Sequence, residues 1–263
     1  MKSTPRKRII QEYYARRSKD YDRQKSRTWK STSGFSNEVG NALLCALTDF
    51  ENKTVLEVGC GSGRNAVPLV EKTGVRLVGL DLCKEMLMIA MAKMRHLPAN
   101  FDLVLGDADH LPFADEVLDA VVCMSTMHYF DSPYGIVEDF SRVLKPHGVF
   151  VYGDLSVHEN DDRGFFEGLE RTLSKAHTRY NKPSEMKIML EKYGFHVSTI
   201  VTFAYRKSYD ALMEDKGRYF HVSRQMLGIY LHKAKPVEKE LYALSDSDLT
   251  LFYTVVEVQK RNK

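Results

Sequence analysis

Residues 55–65 read VLEVGCGSGRN. Four apolar or acidic strand-type residues run into glycines at 59, 61 and 63, and a helical pattern follows. Glycine is the residue that lets another backbone or a ligand come close, and a glycine-rich turn between a strand and a helix is a ligand cradle in that context. The dinucleotide fingerprint G-x-G-x-x-G needs its third glycine where Arg64 stands, for close helix–strand packing. No Walker lysine follows, so a phosphate-binding P-loop is also excluded.

Downstream, TVLEV (54–58), RLVGLD (76–81), FDLVLGD (101–107), DAVVCMS (119–125) and GVFVYGD (148–154) read as strands rich in Val and Leu. They alternate little, as strands covered on both faces do. Helices are predicted between them at 63–72, 84–95 and 133–144, with Pro68 forcing a kink or a shifted start. This rhythm predicts a mostly parallel sheet with right-handed crossovers. Helices are further expected at 161–178, 183–193 and 208–233, and two final strands at 194–205 and 249–259. The chain therefore reads as one α/β domain. A helical cover spans 1–50, a core 51–155, and the C-terminal half of the sheet 156–263, with a helical insertion at about 206–246.

The strand ends carry acids in series. Asp81 closes the second strand 20 residues beyond Gly61, where a carboxylate accepts from ribose hydroxyls. Asp107 follows the third, where a carboxylate can accept from an exocyclic adenine amine and the N–H of Ala108 can donate to a ring nitrogen. A ribose and an adenine are expected, without a pyrophosphate site.

E-V-G-C-G-S-G (57–63), G-L-D (79–81), G-D-A-D-H-L-P-F (106–113), L-D-A-V-V (118–122) and R-V-L-K-P-H-G (142–148) together resemble the class I S-adenosylmethionine (SAM) methyltransferases. The resemblance is to the small-molecule branch that includes the ubiquinone and menaquinone biosynthesis C-methyltransferases, and it covers about residues 13–155 and 183–205. It implies a Rossmann-like, seven-stranded, mostly parallel sheet with helices on both faces. It implies SAM as cofactor and S-adenosylhomocysteine as product. The methionine end would lie over Glu57, Gly59, Cys60, Gly61 and Gly63, the ribose on Asp81, and the adenine by Leu82, Asp107 and Ala108. Glu57 can hold either backbone N–H groups or the SAM ammonium. His147 stands where the family usually has glycine.

The loop after the fourth strand, MSTMHYFDSPY (124–134), is implied to face the methyl group. His128 and Tyr129 are the candidates there for a base or a substrate contact, with a structural role as the alternative for each. DSPY is read as a helix start, Ser132 capping and Pro133 at the first helical position, rather than as the D/N-P-P-Y of amino-methyltransferases. The N-terminal YYARRSKDYD (13–22) resembles the family's helix that closes over SAM, which makes Tyr13, Tyr14 and Tyr21 candidates for the substrate side or for core packing.

The 263 residues carry a net charge of +3, unevenly: residues 1–30 hold eleven Lys or Arg and three acids, net +8, against −5 for the remainder. Such an arm can bind phosphates or can simply be solvated. The acceptor is expected to be a small molecule, with nucleic acid or protein as the less favoured partner and a non-catalytic SAM-binding subunit as a further alternative. Four scattered cysteines lack metal spacing, and no apolar window is long enough for a membrane span or a secretory core. They predict a reducing, cytoplasmic setting, no metal and core-filling thiols.

Overall fold

A computed structural model describes residues 4–22, 35–97 and 100–262. Lys2, Arg23, Lys25, Arg27 and Lys30 of the basic arm lie outside the described residues. Helix α1 (Pro5–Arg17) starts as its sequence requires, with Pro5 in the first turn and Thr4 Oγ1 accepting the N–H of Lys7 at 3.3 Å. Helix α2 (Phe35–Ala46) leads to β1 (Thr54–Val58). Then come α3 (Ala66–Thr73), β2 (Arg76–Asp81), α4 (Lys84–Met94), β3 (Phe101–Leu105), β4 (Leu118–Met124), α5 (Pro133–Val143) and β5 (Leu144–Ser156). The C-terminal part holds α6 (Phe165–Leu173), α7 (Pro183–Lys192), β6 (Phe195–Ser208), α8 (Tyr209–Phe220), α9 (Arg224–His232), α10 (Pro236–Leu241) and β7 (Asp248–Lys260).

The seven strands form one sheet in the order β3-β2-β1-β4-β5-β7-β6. The first five pair in parallel and β7 runs antiparallel between β5 and β6. The strand order reverses between β1 and β4, so the crevice at their C-terminal ends is where a ligand binds in such a sheet. Along β1, Leu56 and Val58 join a core with α5 and α7, whereas Val55 joins one with α2 and α3. Successive residues thus feed opposite faces, and helices cover both. A third apolar cluster unites α6, α8 and α9 with Ile10 and Tyr13 of α1.

Several boundaries differ from the sequence reading. Helix α3 starts at Ala66, which puts Pro68 in the first turn, where its missing N–H costs nothing. The expected 161–178 helix begins at Phe165, because the Asp161 carboxylate takes the N–H groups of Phe165 and Phe166, each at 2.9 Å. The expected 208–233 helix breaks at His221, whose φ is 55°. The R-V-L-K-P-H-G turn is absorbed into β5: His147 takes φ 62° and the pairing with β4 shifts register there. That left-handed geometry explains why glycine suits the position.

Candidate functional site

The loop after β1 is built by three left-handed glycines, with φ 69° at Gly59, 54° at Gly61 and 75° at Gly63. Gly59 is forced twice over. A Cβ there would lie 2.3 Å from Thr126 Oγ1, on the loop that leaves β4. The loop is pinned from β2: Asp81 accepts the N–H of Gly61 on one oxygen and that of Cys83 on the other, both at 2.8 Å. Burial raises the Asp81 pKa, and the N–H groups of Cys83, Gly61 and Leu82 pull it back.

Beneath the loop, Glu57 is 1% exposed. Its Oε1 accepts from Asn65 Nδ2 at 3.0 Å, while Oε2 is buried with no hydrogen-bond partner. Burial pushes its carboxyl up to about 7, Asn65 opposing and Asp81 adding to the shift. A buried acceptor without a donor is costly unless a ligand supplies one. The bare loop and the strand-end acids fit SAM, and Glu57 places a buried acid beneath that loop.

One cavity opens over these strand ends. Its wall includes Gly59, Cys60, Gly61, Asp81, Leu82, Asp107 and Ala108. It continues to Met124, Ser125, Thr126, Tyr129 and Phe130 at the tip of β4, and to Tyr253 of β7. Helix α1 roofs it with Lys7, Ile10 and Tyr14, and Tyr21 follows. Of the sequence candidates, Glu57, Gly63, His128 and Tyr13 are not on this wall. Gly63 instead brings α4 close, with its Cβ position 3.3 Å from that of Ala90. Tyr13 is buried, stacks on Phe220 at a centroid distance of 4.8 Å and accepts from the Arg17 guanidinium. Cys60, Cys83 and Cys123 are buried and Cys45 is exposed, all four as free thiols.

Tyr129 lies within a 3-10 turn, Met127–Tyr129, and its hydroxyl meets that of Tyr14 at 2.8 Å. Burial raises both phenol pKa values, so neither hydroxyl is ionised near neutral pH. The two can donate or orient but are not bases. His128 packs behind Tyr129, ring centroids 4.0 Å apart, and its Nδ1 lies 2.9 Å from both oxygens of Asp154. Asp154, 1% exposed, also accepts the His128 N–H at 3.3 Å. A carboxylate only accepts, so Nδ1 is the ring nitrogen that donates to Asp154.

Sequence reasoning missed Lys7, Arg64, Asn65, Ser125, Thr126 and Tyr253. Ser125 lies in the loop implied to face the methyl but was not singled out; it adopts φ 55° at the strand tip, and its Oγ meets the Tyr253 hydroxyl at 2.9 Å. Backbone strain of this kind concentrates at functional sites. Tyr253 reaches the cavity because β7 inserts beside β5, a pairing that no local pattern announces. No described residue of the 206–246 insertion is on the cavity wall; the insertion packs on α6 and, through Phe220, on Tyr13.

Comparison with known proteins agrees with this geometry. Residues 56–152 match the family described as Methyltransferase domain. A fatty-acid O-methyltransferase of Mycolicibacterium smegmatis is 38% identical over 110 residues, 41% of this chain and 39% of that protein. A ubiquinone biosynthesis O-methyltransferase of Hydrogenovibrio crunogenus is 26% identical over 185 residues, 65% of this chain and 76% of that one. The YcgJ protein of Bacillus subtilis shares the fold, with TM-score 0.77 and 22% identity over 86% of this chain and 100% of that structure. The match to the first of these relatives spans about two fifths of that protein's length. No helix among the described residues is long and apolar enough to cross a membrane, and no cluster of three metal-ligating side chains occurs among them. Residues 56–152 thus match a methyltransferase domain, set in a chain with a Rossmann-like methyltransferase fold.

Proposed function

We propose that this protein transfers a methyl group from SAM to a small-molecule acceptor by in-line displacement. One observation carries the reading: a single cavity runs from the glycine loop, past Asp81 and Asp107, to an aromatic wall at the tip of β4. When bound, SAM supplies an electrophilic methyl on a sulfonium. What the chain adds is position. Asp81 would hold the ribose, Asp107 and the Ala108 N–H the adenine, and Glu57, beneath the loop and off the cavity wall, would act on the ammonium through its field and through Asn65, which lines the cavity. Tyr14, Tyr21 and Tyr129 also line the cavity, where aromatic rings can attract a cationic centre and seat an apolar or aromatic acceptor. Holding the acceptor at near-attack distance supplies several kcal/mol of the rate enhancement.

The named relatives are O-methyltransferases, and an O–H acceptor must lose its proton. His128, fixed by Asp154 behind Tyr129 and off the cavity wall, is the chain's candidate base, reaching the acceptor only where Tyr129 gives way. RNA is not favoured. Among the described residues of the basic arm, Arg6 pairs with Asp131, Lys7 with Asp107 and Asp109, and Arg17 is buried over Tyr13 and Tyr21. The charge of these three is spent internally, while Arg8, Arg16 and Lys19 are exposed.

The reading is tested by S-adenosylhomocysteine release. Purified protein with SAM and a small-molecule extract should form it far faster than protein with SAM alone. Equal rates with every extract would favour a SAM-binding subunit without turnover.

A further inference from the structure

Lys7 is a cation at the adenine end of the cavity. Its side chain and that of Asp107 are each 14% exposed, although 100 residues separate them. The Lys7 ammonium lies 2.5 Å from Asp107 Oδ2 and also contacts Asp109 Oδ2. The other Asp107 oxygen accepts the N–H of Asp109 at 3.1 Å. Both oxygens of the acid that should meet the adenine amine are therefore occupied. Burial lowers the Lys7 pKa, but the two carboxylates outweigh it and the net shift is upward, so the ammonium stays charged.

The same helix is fastened along its length. Arg6 reaches Asp131 at 2.5 Å and Thr178 Oγ1 at 2.6 Å. Gln11 Nε2 donates to the Leu82 carbonyl at 3.1 Å. Beyond the helix, Asp22 accepts from Ser62 Oγ at 2.8 Å and pairs with Lys93 at 2.6 Å. Leu82, Ser62 and Asp107 are cavity residues, so α1 is tied to the cofactor site itself and roofs it with Ile10 and Tyr14.

We propose that Lys7 is the latch of the cofactor site. It and the adenine amine compete for Asp107 Oδ2, so cofactor enters and leaves only as the Lys7–Asp107 pair breaks. Asp109 keeps hold of the Lys7 ammonium when a nucleoside occupies Asp107, which is why the cation has two acids. This inference rests on the proposed function, through the assignment of Asp107 to adenine.

The test is the kinetics of SAM and S-adenosylhomocysteine binding, by stopped flow, to the wild type, Lys7→Gln and Asp109→Asn at low and high salt. Amide exchange along α1 without cofactor is read in parallel. Lys7→Gln should exchange cofactor about tenfold faster in each direction, the factor expected for losing one charge-assisted hydrogen bond, whereas Asp109→Asn, which removes the acid that holds the ammonium when the pair is open, should exchange it more slowly. Salt should speed exchange in the wild type and not in Lys7→Gln. The α1 amides should exchange faster in both variants. If Lys7→Gln only dissociates faster and associates as before, or if Asp109→Asn exchanges as fast as Lys7→Gln, Lys7 is an ordinary contact and the latch is wrong. Unchanged kinetics with SAM bound normally also overturn it. A wild type that binds no SAM overturns the proposed function along with the latch, an outcome distinct from the other two.

Discussion

Asp81 holds the glycine loop from the neighbouring strand: one carboxylate oxygen accepts the N–H of Gly61 at 2.8 Å, and the other accepts that of Cys83 at 2.8 Å. The acid thus shapes the cradle before any ribose reaches it. Removing it as Asp81→Ala strips two N–H groups of their charged acceptor and leaves ribose hydroxyls unmatched. SAM affinity should fall by about 1–3 kcal/mol in a calorimetric titration. An unchanged affinity would show that the ribose lies elsewhere.

Gly59 carries a conformational and a steric demand at once. Its φ of 69° costs any other residue about 1–3 kcal/mol. A Cβ would also collide with Thr126 Oγ1, 2.3 Å away. Gly59→Ala should lower the melting temperature and abolish SAM binding. Adding Thr126→Gly should recover the part due to the collision and not the part due to φ. A Gly59→Ala protein that melts and binds as the wild type does would mean the loop is not rigidly built.

Glu57 makes stability depend on pH in a defined window. Its carboxyl is raised by burial from 4.5 to about 7. An acid that holds its proton more tightly when folded stabilises the fold below its unfolded pKa. That contribution is lost as pH rises from about 4.5 to about 7. Against Glu57→Gln, the wild type should lose up to about 3 kcal/mol across that window, read by denaturant melts at several pH values. Added SAM should stabilise the wild type more above this window, since its ammonium favours the ionised carboxylate. Parallel pH curves for wild type and variant would assign the titration to another group.

His128 and Asp154 are argued to act as a pair. If Nε2 takes the acceptor's proton, His128→Ala should lower kcat by about a hundredfold or more while leaving the acceptor KM nearly unchanged. Asp154→Asn should move kcat in the same direction, because the amide can stabilise the wrong tautomer. A raised KM at constant kcat would make His128 a contact or packing residue. That alternative has a basis, since its ring also lies 5.0 Å from Tyr180 and 6.0 Å from His177, centroid to centroid.

What could be read from the sequence was local. The glycine loop, Asp81 at the end of RLVGLD, and the five Val- and Leu-rich strands each declare themselves within a dozen residues, and those strands pair in parallel as expected. The ends of elements were less legible because side chains far along the chain set them. Asp161 delays α6 by capping Phe165 and Phe166, and His147 bends inside β5 instead of ending a turn. The contacts that give the site its character were not legible at all. Lys7 with Asp107, His128 with Asp154 and Ser125 with Tyr253 join residues brought together only by sheet order and by the placement of α1.

The most direct measurement of the central claim is where the methyl goes. Purified protein is incubated with methyl-labelled SAM and a cell extract, with and without prior ribonuclease, and label is counted in the small-molecule, RNA and protein fractions. Label is expected in the small-molecule fraction, unaffected by ribonuclease and reduced in Asp81→Ala. Label confined to RNA and abolished by ribonuclease, or confined to protein, would contradict that claim.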